Sequence, residues 1–289
     1  MSEPISAKMV AELRARTGAG MMDCKAALQE AGGDMEKAVE ILRKKGMAKA
    51  DKRGDRSASQ GLIVIETATS GQDGAMIELN CETDFVAKNQ DFIALARDLA
   101  KHALKHAPLG VHAGSAIDSQ PFRASTVGEA VKEVSGKTGE AMAVKRVAHF
   151  HHAGGTVGHY LHHNGQSGAL VELEGVRGEA VTALGRDLAQ HVTAADPIGV
   201  SEADIPADVL ARERRIAEEQ VAQEGKPENI RGKIVDGKIR KFVAERTLLG
   251  QAFVRDDSKT VAELVKEAAK QAGGMLTVTR IARFKVGEA

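Results

Sequence analysis

One internal repeat limits the folds open to this chain more than any other feature of its sequence. The strand-like run Ala75-Met76-Ile77-Glu78-Leu79 returns as Ala169-Leu170-Val171-Glu172-Leu173. The helix-like run Ala94-Leu95-Ala96-Arg97-Asp98-Leu99-Ala100-Lys101-His102 returns as Ala183-Leu184-Gly185-Arg186-Asp187-Leu188-Ala189-Gln190-His191. Further on, Thr126-Val127, Val131-Lys132 and Arg146-Val147-Ala148-His149-Phe150 are matched by Thr260-Val261, Val265-Lys266 and Arg280-Ile281-Ala282-Arg283-Phe284. Two halves are therefore expected, 61–151 and 152–289, each in the order hairpin, helix, variable connection, helix, strand. Each would make a small antiparallel sheet backed by helices, an α+β arrangement.

The copies differ in two places. From strand to helix the first is five residues longer (Ala75 to Ala94 against Ala169 to Ala183), and the excess falls in Thr83–Gln90. A junction elaborated in one copy only is the first functional lead. The second half carries an insertion at about 200–247. It has Val209, Leu210, Ile216 and Val221 in one arm, Gly225-Lys226-Pro227 at the turn, and Ile230, Ile234, Ile239 and Phe242 in the return arm. This pattern predicts a projecting helical hairpin, which leaves a dimer open.

Ahead of the repeat, residues 1–47 predict three short helices. Ile5-Ser6 supplies a staple residue and an N-cap, Thr17-Gly18-Ala19-Gly20 breaks the first helix, and Gly32-Gly33 ends the second. Asp34 caps the third, which is expected to stop at Gly46. So small a core suits a docking module. Residues 48–60 predict a basic linker. Within half one the spacing predicts a hairpin over 61–80, a helix from Asp91 to about His106, a loop from Pro108 to Phe122, a helix from Thr126 to about Lys137 and a strand over 141–150.

At 289 residues about two domains are expected. Forty basic residues balance forty acidic ones, which argues against a nucleic-acid binder. The local excess of Lys and Arg from Arg43 to Arg56 keeps one alternative alive, an RNA-binding accessory of translation. No apolar run approaches the ~18 residues of a membrane span. Met1-Ser2-Glu3-Pro4 does not begin a leader, and two cysteines make no disulfide framework. A cytoplasmic protein with no membrane contact is expected.

No phosphate-binding loop, dinucleotide fingerprint or nucleophile elbow occurs, so direct nucleotide binding, a cofactor and catalytic residues are not expected. Cys81 and Cys24 read as small buried hydrophobes. His149, His151, His152, His159, His162 and His163 fall close together, and a metal-binding enzyme built on the His149–His163 cluster is the other alternative. No acidic residue interrupts that run, and polar decoration of a hairpin is the default reading. There remains Thr83-Asp84-Phe85-Val86. Thr83 or Asp84 could cap a helix with Phe85 as its staple. An exposed Phe beside a carboxylate at a helix start would also make a wedge against a partner's packed side chains and cation site.

Two long motifs carry a family resemblance. Leu13-Arg14-Ala15-Arg16-Thr17-Gly18-Ala19-Gly20-Met21-Met22-Asp23-Cys24-Lys25-Ala26-Ala27-Leu28 and Asn80-Cys81-Glu82-Thr83-Asp84-Phe85-Val86-Ala87 resemble the two signatures of the elongation factor Ts family. Gly225-Lys226-Pro227 and Leu248-Leu249-Gly250-Gln251-Ala252-Phe253-Val254 follow in the same order. The resemblance implies a UBA-like N-terminal module and a guanine-nucleotide exchange factor for elongation factor Tu. Thr83, Asp84, Phe85 and Val86 would enter that partner near its magnesium and phosphate site. Arg14, Met21 and Met22 would dock on it, and a histidine in Tyr160–Gly165 would assist; His162 is the match, with His163 beside it. Gln166-Ser167 departs from the family's pair of an Arg and a hydrophobic residue. Some members continue into a C-terminal helical module. With this chain ending at Ala289, the grip is expected from the N-terminal module and core.

Overall fold

The computed structural model describes residues 5–225 and 227–288. The reading of Met1–Pro4 lies outside the described residues, as does Lys226 of the expected hairpin turn. The chain forms two compact units. Unit one holds the chain up to Val64, Ile77–Ala148 and the end from Lys285; unit two holds Ile65–Met76 and His149–Phe284.

Unit one opens with α1 (Ala7–Thr17), α2 (Met21–Glu30) and α3 (Met35–Asp51). Ser6 caps α1 by accepting from the Met9 amide at 3.2 Å, and Asp34 caps α3 by accepting from Lys37 at 3.1 Å. Leu13, Cys24, Ala27, Leu28, Ala38 and Leu42 form the buried centre of this trio, with Ile5 and Val10 packed at its edge. The third helix does not stop at Gly46, as expected from sequence, but runs on to Asp51. Gly46 faces Gly136 instead: a Cβ on Gly136 would stand 3.0 Å from the Gly46 Cα. That glycine is a helix-crossing residue, and the first residues of the expected linker are the last turn of the helix.

β1 (Gln60–Thr67) and β2 (Asp73–Cys81) form the expected hairpin. The junction after it is two helices rather than one, α4 (Asp84–Ala87) and α5 (Gln90–His106), capped separately by Thr83 and Asn89. Phe92, Leu95, Leu99 and Ala103 make the buried stripe of α5. The segment expected as a loop from Pro108 to Phe122 contains a strand, β3 (Gly110–Ala113), and ends in β4 (Pro121–Phe122), which pairs as a ribbon with β5 (Ser125–Thr126). In Gly110-Val111-His112-Ala113 the one large apolar residue, Val111, is exposed, so no apolar alternation marks the strand. α6 (Val127–Thr138) starts in a capping box of Thr126 and Glu129, and β6 (Met142–His151) completes a sheet of order β1-β2-β6-β3.

Unit two carries the second copy. β7 (Gly155–Leu161) pairs antiparallel with β8 (Ser167–Gly175), and α7 (Glu179–Ala195) lies across β7. A Cβ on Gly158 would stand 2.3 Å from the Gly185 carbonyl, so this close approach of helix to strand depends on both glycines. The insertion is the expected helical hairpin, α8 (Ala207–Gln223) and α9 (Glu228–Arg246). Its inner residues are Ala217, Val221 and Val235, with Ile234 and Ile239, while Ile216 and Ile230 face solvent. The ribbon β9 (Ala252–Phe253) and β10 (Asp256–Thr260) leads to α10 (Val261–Ala272), capped by Thr260 and Glu263, and β11 (Leu276–Lys285) ends a sheet of order β11-β8-β7.

The repeat extends to polar side chains in the core. Glu78 in β2 pairs with Arg146 in β6, and their counterparts Glu172 in β8 and Arg280 in β11 pair likewise. His102 Nε2 lies 2.8 Å from Gln120 Oε1, and His191 Nε2 lies 2.9 Å from Gln251 Oε1. His191 Nδ1 accepts the Val254 amide at 3.2 Å, which requires the neutral ring. Burial pushes both histidines below their ordinary value of 6.5. Each folded-state value is therefore below its unfolded one, so the unfolded chain takes up more protons as pH falls through 6.5. The stability these rings contribute is present above that pH and is lost below it. Denaturant titrations at pH 7.5 and 5.5 should give the lower stability at 5.5, and His102→Asn with His191→Asn should reduce the difference. Equal pH dependence in wild type and variant would refute this account.

Candidate functional site

The junction of β2 and α4 is held in place by an exchange of carboxylates with the segment that follows α6. That helix ends at Gly139 in the left-handed conformation, φ 82°. Ser135, buried in its last turn, donates to the Glu140 carbonyl at 2.5 Å. Glu140 then grips Thr83 twice: Oε1 accepts the Thr83 hydroxyl at 2.6 Å and Oε2 accepts the Thr83 amide at 3.0 Å. In return Glu82 Oε1 accepts the Ala141 amide at 2.7 Å, which holds its carboxyl below the usual range. Arg56 reaches the same Glu82 oxygen at 3.4 Å.

Thr83 is the N-cap, and its hydroxyl accepts from the Val86 amide at 3.4 Å. A hydroxyl both donates and accepts, so one Thr side chain joins the clamp to the helix start. The four-residue helix buries Ala87 and leaves Val86 half-buried. Phe85 is not a staple: it stands 81% exposed. Asp84 beside it is exposed and pairs with Lys88 at 2.7 Å, and that hydrogen bond lowers its carboxyl below the usual range. An apolar ring and an anionic group are thus carried side by side on a pinned turn. Single exposed apolar side chains are ordinary on protein surfaces; this one is set apart by the turn beneath it, pinned twice by Glu140.

Arg14 is exposed on the last turn of α1, and Met21 and Met22, 57% and 76% exposed, begin α2 across the Gly18-Ala19-Gly20 turn. The core of the trio is complete without them. His162 lies in unit two, at the turn between β7 and β8. Its Nδ1 is 3.1 Å from the Tyr160 hydroxyl, its amide donates to Ser167 at 2.9 Å, and its ring lies 4.3 Å from that of the more exposed His163.

The other candidate groups have local partners. Asp73, which the sequence reading did not connect with the histidine run, sits between two of its members: His151 Nδ1 is 2.7 Å and His149 Nε2 is 3.7 Å from Asp73 Oδ1. Among the described residues no three or more His, Cys, Asp or Glu side chains are grouped to hold a metal ion. Cys81 is buried, and desolvation, reinforced by the Glu140 charge, pushes its thiol up to about 12, far from a nucleophile's range. Among the described residues no helix is long and apolar enough to cross a membrane.

Glu140 and Ser135 were missed by sequence reasoning, although the repeat held the signal. Their counterparts in the second copy are Gly274 and Ala269, and those of Glu82 and Thr83 are Val176 and Arg177.

A sequence model of the family described as "Elongation factor TS" matches residues 82–288. Proteins named "Elongation factor Ts" are similar along almost the whole chain. That of Alkalilimnicola ehrlichii is 44% identical over 284 residues, covering 98% of this chain and 92% of its own. That of Chlorobium phaeobacteroides is 41% identical over 289 residues, covering 98% and 99%. That of Chloroherpeton thalassium is 40% identical over 285 residues, covering 98% and 99%.

Proposed function

Since the chain belongs to the elongation factor Ts family and is thus a translation elongation factor, we propose that it binds elongation factor Tu carrying GDP and promotes release of the nucleotide for exchange with GTP. The observation that carries this reading is the exposure of Phe85 on a turn pinned at Thr83 by Glu140. Such a side chain can enter a partner without rearranging its own support, so little binding energy goes into ordering it. Phe85 and Val86 would part the side chains around the partner's phosphate site, and the Asp84 carboxylate would compete for its magnesium. Arg14, Met21, Met22 and His162 would serve in docking.

No bond is made or broken in this process, and the protein is not an enzyme in that sense. It acts through coupling: factor and GDP oppose each other on one partner, reciprocally. Accelerating release by about a thousandfold means lowering the barrier by about 4 kcal/mol. Loss of divalent-cation contacts and a tilt of the phosphate-binding loop are adequate sources. Neither a cofactor nor direct nucleotide binding by this chain is required, and the place of work is the cytosol.

The test is release of a fluorescent GDP from elongation factor Tu with and without this protein. Acceleration that saturates with factor concentration is expected. Unchanged release at micromolar factor would remove the reading.

A further inference from the structure

We propose that Glu140 is a positioning residue for nucleotide release: it sets the aim of Asp84 and Phe85 through Thr83 and does not itself touch the partner's nucleotide site. This rests on the exchange-factor reading above and adds a residue to its machinery.

The internal repeat acts as a control that separates fold from function. Both halves bring the end of the hairpin's second strand against the start of the final strand. In unit two the Val176 amide donates to the Met275 carbonyl at 2.9 Å, with no carboxylate taking part. The Val176 side chain there fills the space over Gly274, where a Cβ would come within 2.1 Å of its Cγ1, and no carboxylate stands at that position. Joining these strands therefore does not call for a carboxylate. Unit one nevertheless has Glu140 where unit two has Gly274, Thr83 where it has Arg177, and Ser135 where it has Ala269. All three differences occur in the half whose junction is five residues longer, and all three meet at the base of α4.

The chemistry at that base is specific. A carboxylate accepting both the amide and the hydroxyl of one residue fixes its backbone and its χ1 together. With the Thr83 hydroxyl proton committed to Glu140, an oxygen lone pair is left aimed at the Val86 amide. The first turn of α4 is therefore oriented from Glu140 outward. A helix of four residues has almost no intrinsic stability, so its direction depends on this cap. Ser135 fixes the backbone that presents the carboxylate.

The experiment compares wild type with Glu140→Ala, Thr83→Val, the double variant and Thr83→Ser, measuring GDP release from elongation factor Tu over a range of factor concentrations. Glu140→Ala and Thr83→Val should each lower the rate at saturation by about tenfold, with the half-saturating concentration within about twofold of wild type. The double variant should be no slower than either single one, because both remove the same link. Thr83→Ser keeps the hydroxyl and amide that Glu140 grips and should lose much less rate than Thr83→Val. Hydrogen exchange of the free protein supplies a readout independent of the partner: amides from Thr83 to Asn89 should exchange faster in Glu140→Ala while those of α5 do not. If Glu140→Ala lowers the thermal midpoint as a whole, Thr83→Val against Thr83→Ser carries the comparison. A Glu140→Ala protein releasing GDP at the wild-type rate, multiplicative losses in the double variant, or unchanged exchange in 83–89 would each overturn the proposal. A wild type that fails to accelerate release would instead defeat the exchange-factor reading, leaving the hydrogen-exchange result to judge the clamp.

Discussion

Phe85→Ala is expected to slow release of GDP from elongation factor Tu at saturating factor by about thirtyfold, while leaving the thermal midpoint of the free protein unchanged. The two halves of that expectation have one cause. The ring is 81% exposed, so its removal opens no cavity and takes almost no apolar area out of the fold. Whatever it contributes is contributed in the complex. A fully buried aromatic anchor at an interface is worth about 2 kcal/mol or more, and a loss of 2 kcal/mol from the barrier is about thirtyfold in rate. Since docking is proposed to run through Arg14, Met21 and Met22, the half-saturating concentration should move much less than the saturated rate. Asp84→Ala should give a smaller loss, because its carboxylate is already shared with Lys88 and open to solvent. If Phe85→Ala weakens docking and leaves the saturated rate as it was, the side chain is a holdfast and not a wedge. If neither quantity changes, it has no part in the complex.

The backbone frame of this protein was largely legible in its sequence because the chain states it twice. The hairpin, the α5 stripe of Phe92, Leu95, Leu99 and Ala103, and the capping boxes at Thr126 and Thr260 all follow from local pattern. Where the reading failed, a distant residue had decided the outcome. Gly46 reads as a stop, since glycine disfavours a helix interior by about 1 kcal/mol. The helix nevertheless continues, packed there against α6, where a Cβ on Gly136, far along the chain, would stand 3.0 Å from the Gly46 Cα. The Thr83–Gln90 excess was visible as an insertion, but its division into two capped helices depends on Glu140 holding Thr83 and on Asn89 starting anew. The histidines show the same contrast. Six of them close together in sequence offered a metal site only as an alternative to polar decoration, whereas the repeat-related His102 and His191 take matching roles beside Gln120 and Gln251. Proximity along the chain was the weaker signal; equivalence between copies was the stronger one.

The same equivalence supports a prediction about stability. Arg146→Ala should destabilise the protein by about 3–5 kcal/mol, the range for removing one partner of a buried ion pair. Glu78 has no exposed side-chain area; Arg146 Nε meets its Oε2 at 2.6 Å, and the Gly287 amide donates to its other oxygen at 3.2 Å. Without the guanidinium the carboxylate remains desolvated with one backbone donor. The cost is thus mainly that of an orphaned charge, not of a lost attraction. Replacing both partners with apolar residues of similar volume, Glu78→Leu with Arg146→Met, should restore most of the loss, since no charge is then stranded. The counterpart pair supplies the internal comparison. Arg280 is 37% exposed, and Glu172 also receives the Thr279 hydroxyl at 2.7 Å. Arg280→Ala leaves Glu172 a hydroxyl donor and a path for water, so its cost should be clearly smaller than that of Arg146→Ala. Denaturant unfolding of the three variants at neutral pH measures all of this. Equal losses for the two arginines, or no recovery in the double replacement, would mean that desolvation of the carboxylate is not what sets the cost.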